Sequence, residues 1–174
     1  MVTEIQQVGE LAQETREQYA LVVRINTRWC DYDMLGHLNN VEYYRYFETA
    51  VLTLLHETDL DWQRDSVIPF AAENGCRFLR PVAVSGHVEV GVRISKLGNS
   101  SVRYEVAVFM PAQDLPSACG FFVHVFVNRA SGQPATIPVS VRTHFAAQCD
   151  ALTRGESRIV AHAQLLPTTL ATGD

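Results

Sequence analysis

The chain has 174 residues, of which 47% are apolar and 19% are charged, and this balance is typical of a single globular domain with its own core. The net charge of −5 and the lack of any basic cluster in the sequence argue against a nucleic-acid-binding protein. No apolar run approaches the roughly 20 residues that a membrane-spanning helix needs, so we expect no membrane partner.

The four cysteines, Cys30, Cys76, Cys119 and Cys149, form no CxxC pair, and together with the histidines they show no metal-ligand spacing. The sequence also contains no phosphate-binding loop and no dinucleotide fingerprint, so we expect neither a metal nor a cofactor. Residues 1–20 are polar and do not resemble a secretory signal. Free thiols in a reducing compartment are the simplest interpretation, and we expect a cytoplasmic protein.

The first part of the chain predicts one strand and one long helix. Residues 1–19 are polar, and we expect them to form an N-terminal extension. Apolar and polar residues alternate over residues 21–29, which predicts a half-buried strand. Residues 30–39 are rich in turn-forming types, and residues 40–57 then show helical periodicity.

The predicted helix is apolar over most of its circumference, and its polar residues form one narrow stripe that we expect to face solvent: Glu42, Arg45, Thr49, Thr53 and His56. Such a helix is not a surface helix and has to be covered by other elements. Asn39 or Asn40 is a plausible N-cap. We expect Glu48 to pair with Arg45, three residues earlier on the same helix.

The second part of the chain predicts a sheet. Four segments have strand patterns, at residues 67–80, 86–96, 101–110 and 118–129, with a hairpin turn at 96–100. A short helix is predicted at 139–148, and residues 149–174 are expected to form a loose tail. An antiparallel sheet curled around the central helix would satisfy both patterns, so we predict an α+β domain over residues 20–148.

One segment carries a family resemblance. The run from Asp31 to Tyr43, DYDMLGHLNNVEY, is similar to the pattern D-x-D-x-x-G-H-x-N-N-x-x-Y of the 4-hydroxybenzoyl-CoA thioesterase-like branch of the hot-dog superfamily. Weaker similarities lie in Tyr46-Phe47-Glu48, in residues 77–81 and at the predicted hairpin around Leu97-Gly98. The resemblance covers about residues 20–148 and implies the hot-dog fold, in which an antiparallel sheet wraps around one long helix.

The resemblance also implies an activity, the hydrolysis of acyl-CoA thioesters, and roles for particular residues. It implies that Asp33 is the catalytic carboxylate and that Asp31 supports it. It implies that the amide at the helix start, belonging to Asn40 or its neighbour Asn39, polarises the thioester carbonyl. His37 has two open interpretations: it either helps Asp33 and the carbonyl, or it satisfies carbonyl groups of its own loop.

Several further residues are candidates for substrate binding. Tyr43, Tyr44 and Phe70 would either line an acyl pocket or belong to the core. Arg80 lies in the second-strand motif. The benzoyl-specific enzymes of the family place basic residues on the hairpin for the CoA phosphates, and this chain has Lys96 and Ser100 there.

The chemistry explains why such residues would be needed. Water attacks a thioester slowly, so catalysis needs a donor aimed at the developing oxyanion, and a helix N-terminus supplies free amides with a partial positive charge. It also needs a carboxylate near the carbonyl carbon, acting either as a general base on water or as a nucleophile. Asp33 lies seven residues before Asn40, in a loop that has to fold back over the helix start.

Two alternative functions stay open at this point. One is an acyl-acyl-carrier-protein thioesterase, although the plant enzymes with a similar motif use an asparagine where this chain has Leu35. The other is a non-catalytic acyl-CoA-binding protein on the same fold. Because a single hot-dog protomer has an exposed sheet edge, we expect a homodimer or a homotetramer.

Overall fold

Residues 12–161 are described by the computed structural model, which folds them into six strands and two α-helices. The strands are β1 (Leu21–Asn26), β2 (Val67–Phe78), β3 (His87–Leu97), β4 (Ser101–Phe109), β5 (Ala118–Asn128) and β6 (Arg158–Ala161). The helices are α1 (Asn40–Leu55) and α2 (Val139–Thr153). The predicted α+β arrangement of one sheet around one long helix is confirmed.

The strand order in the sheet is β2-β5-β4-β3-β1-β6. Among the first five strands in this order, each pair of neighbours is antiparallel, whereas β6 pairs parallel with β1. The expected loose tail therefore differs in its first part, because α2 continues to Thr153 and β6 covers the outer edge of β1. Four residues are enough to cover such an edge but too few to show a strand period.

The remainder of the expected tail, residues 162–174, and residues 1–11 of the expected N-terminal extension lie outside the described residues. The described end of that extension includes a 3₁₀ turn at Arg16–Gln18. Tyr19 follows this turn and is fully buried, with its hydroxyl donating to the Glu14 carboxylate at 2.6 Å. The extension is therefore attached to the sheet at this end.

Helix α1 crosses the sheet and contacts strands β1 to β5. We call the face of the sheet that packs against α1 the inner face, and the opposite face the outer face. Glu42, expected in the solvent stripe of this helix, is instead only 8% exposed. It lies 3.5 Å from Arg28 and 3.2 Å from Arg45, so the ion pair of Arg45 is with Glu42 and not with Glu48.

A glycine on β5 permits the close approach of α1 to the sheet. A Cβ atom placed on Gly120 would lie 2.7 Å from the ring of Phe47 on α1 and would also collide with the carbonyl oxygen of Gly75 on β2. Phe47 itself is fully buried. Gly120 therefore sets how near the central helix can come to the sheet, and this distance is fixed by backbone on one side and by a buried ring on the other.

Helix α2 covers another part of the inner face. Its buried side chains are Val141 and Phe145, and the Phe145 ring lies 6.0 Å from the Tyr104 ring of β4 in an edge-to-face arrangement. Neither of the two helices in residues 12–161 has the length and apolar character required to cross a membrane.

Strand β2 is the longest strand and forms an edge of the sheet. Its register against β5 shifts between Ala71 and Glu73, which marks a β-bulge. A bulge reverses the alternation of faces, because successive strand residues point to opposite sides. Residues after the bulge, such as Phe78, therefore share the inner face with odd-numbered residues before it, such as the buried Pro69.

We expect Gly120→Ala to lower the free energy of unfolding by about 1 to 3 kcal/mol, because the added methyl group has to push α1 or β2 away. Gly86→Ala is the matched control, since a Cβ atom there meets nothing within 4 Å. Chemical denaturation of both variants measures the difference. Equal stability of the two variants would show that α1 has room above β5.

His124 on β5 predicts an acid-dependent stability. The side chain is 4% exposed, its Nδ1 has no hydrogen-bond partner in the described residues, and burial lowers its pKa from 6.5 to about 4. The unfolded chain therefore takes up a proton before the folded chain does. The contribution of the uncharged His124 to the free energy of unfolding is therefore complete above pH 6.5 and is lost as the pH falls to about 4.

The free energy of unfolding should fall by up to about 1.4 kcal/mol per pH unit across this window, or about 3 kcal/mol in total. Denaturant titrations at several pH values within the window measure the slope. His124→Phe keeps an aromatic ring and removes the titrating group. The free energy of unfolding of this variant should therefore fall less steeply with falling pH, by up to about 1.4 kcal/mol per pH unit. An unchanged slope in His124→Phe would assign the acid sensitivity to other groups.

Candidate active site

The loop between β1 and α1 is a tight hairpin that folds back on the helix start. The Asp33 amide donates to the His37 carbonyl at 2.8 Å, and the Gly36 amide donates to the Asp33 carbonyl at 3.0 Å. Gly36 has a φ of +74°, a conformation that glycine adopts without strain. Leu38 bridges to Tyr32 across the hairpin. The loop therefore has the closed geometry that its turn-forming residues predict.

The Asp33 carboxylate is oriented by the backbone of its own hairpin. Its Oδ1 accepts from the Leu35 amide at 2.8 Å and from the His37 amide at 3.1 Å. No hydrogen bond in residues 12–161 uses its Oδ2, and the side chain is exposed. One oxygen thus fixes the direction of the carboxylate, and the other is available to a substrate or to water.

Helix α1 begins beside this carboxylate. Asn39 is the N-cap, since its side chain accepts from the Val41 amide at 3.2 Å and its carbonyl accepts from the Glu42 amide at 3.0 Å. Within the described part of the chain, the Asn40 amide donates to no acceptor. A free amide at the first turn of a helix combines a hydrogen-bond donor with the positive end of the helix dipole.

These groups line one cleft of about 390 Å³. It brings together the three predicted catalytic residues with two predicted substrate-binding residues, namely Asp33, His37, Asn40, Tyr43 and Arg80. The N-cap Asn39 adjoins it in the chain. The rest of the lining is mainly apolar: Leu38, Phe78, Leu79 and Pro81. A polar end and an apolar wall in one cleft suit a carbonyl group carrying an apolar substituent.

Tyr43 and Phe78 form the aromatic wall of the cleft. Their rings meet edge to face with centroids 5.0 Å apart. Tyr43 is only 3% exposed, and this burial raises the pKa of its phenol to about 12. Phe78 is 52% exposed at the end of β2, so it is accessible from the cleft. Phe78 was not among the candidates from the sequence, although it lies within the second-strand motif.

Arg80 and His37 contribute to the cleft in ways the sequence left open. The Arg80 guanidinium donates to the Pro116 carbonyl at 2.6 Å, so part of it is engaged in holding a loop. The His37 amide donates to the Asp33 carboxylate, and the His37 carbonyl accepts from the Asp33 amide, so the backbone of His37 holds Asp33 at two points. The His37 side chain makes no hydrogen bond to another described residue, and it lines the cleft.

Four predicted substrate-binding residues lie outside this cleft. Tyr44 lines a neighbouring cleft of about 440 Å³ between α1 and β2, together with Glu48 and Asn74. Phe70 is 56% exposed and pairs with Val125. Because of the bulge in β2, Phe70 points to the outer face, away from α1, whereas an uninterrupted alternation would have placed it on the inner face with Phe78.

Lys96 and Ser100 lie at the hairpin between β3 and β4, at the other end of the sheet. Ser101 pairs with Val125, which lies opposite Phe70, near the start of β2. The cleft is at the end of β2, where Phe78 pairs with Ala118. One protomer therefore does not bring the hairpin to the cleft.

Asp31 lies beneath the loop and is fully buried. Its carboxylate accepts three hydrogen bonds from Arg28, at 2.7 Å from the backbone amide and at 3.0 and 2.7 Å from the guanidinium. Burial by itself would raise the pKa of Asp31, but the hydrogen bonds from Arg28 and Tyr46 outweigh it and hold the pKa below its usual value. Asp31 is thus a buried charged residue that joins Arg28 to Tyr46 by hydrogen bonds, and Arg28 is a partner that was not identified from the sequence. The supporting role of Asp31 toward Asp33 stays a prediction.

Residues 12–161 contain no group of three or more histidine, cysteine, aspartate or glutamate side chains placed to hold a metal ion. All four cysteines lie within these residues and are free thiols.

Two solved structures are similar to this chain in both sequence and fold. The PA5185 protein of Pseudomonas aeruginosa strain PAO1 is 47% identical, with a TM-score of 0.73, over 77% of this chain and 94% of that chain. A thioesterase of Thermus thermophilus, solved in complex with coenzyme A and Zn, is 32% identical, with a TM-score of 0.65, over 76% of this chain and 96% of that chain.

YsmA, an uncharacterized protein of Bacillus subtilis (strain 168), is 25% identical over 121 residues, which make up 70% of this chain and 82% of YsmA. The model of the thioesterase-like superfamily matches residues 27–147, from the end of β1 into α2. The resemblance to hot-dog thioesterases is thereby confirmed, and the chain belongs to the thioesterase-like superfamily.

Proposed function

We propose that this protein hydrolyses acyl-CoA thioesters to a free acid and CoA at the cleft beside the start of α1. The observation that carries the proposal is that Asp33 and Asn40 line one cleft. Within residues 12–161, Oδ2 of Asp33 accepts no hydrogen bond and the Asn40 amide donates none. The family supports thioester hydrolysis, and the CoA complex of the Thermus thermophilus relative supports CoA as the thiol carrier.

The Asn40 amide would bind the thioester carbonyl oxygen. Negative charge grows on this oxygen as the carbonyl carbon becomes tetrahedral, and a preorganised donor there lowers the barrier by about 3 to 4 kcal/mol in comparable sites. The helix dipole adds to the effect because the oxygen would lie at its positive end. The Asn39 side chain already satisfies the Val41 amide, which leaves the Asn40 amide for the substrate.

The Asp33 carboxylate would act on the carbonyl carbon, and two routes fit its position. In the first, Oδ2 takes a proton from water while the water oxygen bonds to the carbon; the C–S bond then breaks, and the sulfur takes this proton from Oδ2 and leaves as the CoA thiol. In the second, Oδ2 attacks the carbon directly and expels the thiolate, and water then hydrolyses the anhydride. In both routes Oδ1 stays bound to the Leu35 and His37 amides, which keeps Oδ2 in place.

The apolar wall of the cleft would receive the part of the acyl group next to the carbonyl. Tyr43 and Phe78 offer ring edges there, and Leu38, Leu79 and Pro81 complete the wall. The imidazole of His37 lines the same cleft and would be placed to donate a hydrogen bond to the departing sulfur. These assignments choose the acyl pocket for Tyr43, which the sequence left open between pocket and core. Arg80 lines the same cleft and stays a candidate for substrate binding.

A homodimer formed along β2 would give Lys96 and Ser100 a role, and would bring the strand segment that contains Phe70 close to the cleft of the second protomer. Strand β2 is a 12-residue edge strand, and such edges are normally paired or covered. A two-fold antiparallel pairing centred near Asn74 would place the start of one β2, with Phe70, beside the end of the other, with Phe78. The hairpin that carries Lys96 and Ser100 would then approach the cleft of the second protomer.

The four free thiols suit a reducing compartment, and the cytoplasm remains the compartment we propose for this activity.

We expect Asp33→Asn to reduce acyl-CoA hydrolysis by at least about 100-fold with the fold intact, because the amide keeps the shape but is neither a base nor a nucleophile. Release of free thiol from a panel of acyl-CoA substrates measures the loss. Asp114→Asn is the matched control, since Asp114 is an exposed aspartate in a loop outside the cleft, and it should leave the rate unchanged.

Full activity in Asp33→Asn would remove the proposed role of this carboxylate. Wild-type protein that retains acyl-CoA without releasing thiol would identify a binding protein instead. Hydrolysis of acyl chains on acyl-carrier protein, with none on CoA, would favour the carrier-protein alternative.

We expect sedimentation equilibrium to show a dimer or a multiple of it, and Ala72→Pro to shift it toward monomer. Ala72 is the extra residue of the β2 bulge, so a proline there disturbs the free edge more than the pairing with β5. Circular dichroism checks that the variant stays folded. A fully active monomeric wild-type protein would rule out a site completed by a second copy.

A further inference from the structure

We propose that Tyr46 is a positioning residue of the active site, which acts through Asp31 to hold the Asp33 hairpin at a fixed distance from the start of α1. The proposal rests on the proposed function, since it assigns the geometry of the Asp33 carboxylate to a residue that touches neither substrate nor Asp33.

The contact between Tyr46 and Asp31 is buried and short. The Tyr46 hydroxyl donates to Oδ2 of Asp31 at 2.6 Å, and the two residues are 3% and 0% exposed. A hydrogen bond to a carboxylate that water cannot reach is stronger than one at the surface, and loss of the donor leaves a buried charge underpaired. Burial, together with the neighbouring Asp31 carboxylate, raises the pKa of Tyr46, so the hydroxyl keeps its proton and remains a donor.

Asp31 transmits this contact to the hairpin. Its backbone carbonyl accepts from the Asn39 amide at 2.9 Å, and the next rung of the hairpin is the bridge between Tyr32 and Leu38. Asp33 follows directly at the tip. The separation of Asp33 from the Asn40 amide is therefore set by a short ladder whose base is the Asp31 residue.

Tyr46 fixes the base of the ladder to the helix itself. It lies six residues after Asn40 on α1, about 9 Å along the helix axis. The other strong side-chain donor to Asp31 is Arg28, which precedes the hairpin and has a side chain that is 55% exposed. Of these two donors, only Tyr46 belongs to the helix that supplies the oxyanion donor, so its hydroxyl ties the Asp31 carboxylate directly to the body of that helix.

The test uses Tyr46→Phe, which removes one oxygen atom. Its matched control is Tyr104→Phe, because Tyr104 is fully buried in the core and its hydroxyl has no partner in the described residues. We expect kcat for acyl-CoA hydrolysis to fall by roughly 10- to 100-fold in Tyr46→Phe, the scale seen when a reacting group is displaced by about 1 Å. KM should change much less, and Tyr104→Phe should keep both constants near wild type.

A merely structural role would lower thermal stability but leave kcat per folded molecule unchanged, and that outcome would overturn the proposal. Arg28→Gln provides a second arm on a more exposed residue, since it removes the guanidinium bonds to the same carboxylate and should also lower kcat. If Tyr46→Phe fails to fold, normal kcat in Arg28→Gln would equally overturn the proposal.

A double-mutant cycle separates this proposal from the proposed function. If Tyr46 acts by placing Asp33, adding Tyr46→Phe to Asp33→Asn should cause no further loss of rate. Full multiplication of the two losses would contradict positioning through Asp33. Full activity in Asp33→Asn alone would instead remove the proposed role of Asp33, whatever Tyr46→Phe does. Wild-type protein that releases no thiol from acyl-CoA would refute the proposed function itself.

Discussion

The buried carboxylate of Asp31 is the constraint on which the site depends. A charge removed from water is costly unless strong hydrogen bonds replace its hydration, and Asp31 receives three from Arg28 and one from Tyr46. These partners come from the turn after β1 and from the body of α1. The carboxylate therefore joins the end of the first strand to the central helix. The hairpin lies between these two elements, and this junction fixes its position.

In the proposed function, the hairpin and the helix start have different chemical roles. The hairpin uses its own amides to aim one oxygen of Asp33, which leaves the second oxygen unbound within the described residues. The helix uses the Asn39 side chain to satisfy Val41 and leaves the Asn40 amide to the cleft. An acceptor or base and a donor thus lie on adjoining backbone segments, where small changes in one segment alter its distance from the other.

The two edges of the sheet differ in how they are covered, and this difference is relevant to the formation of a homodimer. Strand β6 pairs with β1 and covers that edge, whereas β2 remains an edge strand along its whole length. The candidate active-site cleft lies at the end of β2, beside Phe78 and Arg80. A second copy that paired with β2 would therefore also border the cleft. The same strand would serve as an interface and as one wall of the proposed site.

Much of the fold followed from local patterns in the sequence. The apolar circumference of residues 40–57 predicted a covered helix, and the alternating segments predicted β1 to β5, because periodicity records which faces are buried. The loop motif and the N-cap at Asn39 were also readable, since turns and caps depend on residues within a few positions of one another. These local features placed Asp33, His37 and Asn40 near one another, and the structure brings them to one cleft.

The tertiary structure decided what depends on contacts between distant segments. Three contacts are of this kind: β6 pairs with the edge of β1, Glu42 is buried between Arg28 and Arg45, and Tyr46 donates a hydrogen bond to Asp31. The tertiary structure also turned Phe70 outward, because a single bulged residue reverses the faces of a strand and leaves no clear mark in the sequence. Lys96 and Ser100 lie far from the cleft for a related reason: strand register, and not motif, sets which ends of the sheet meet.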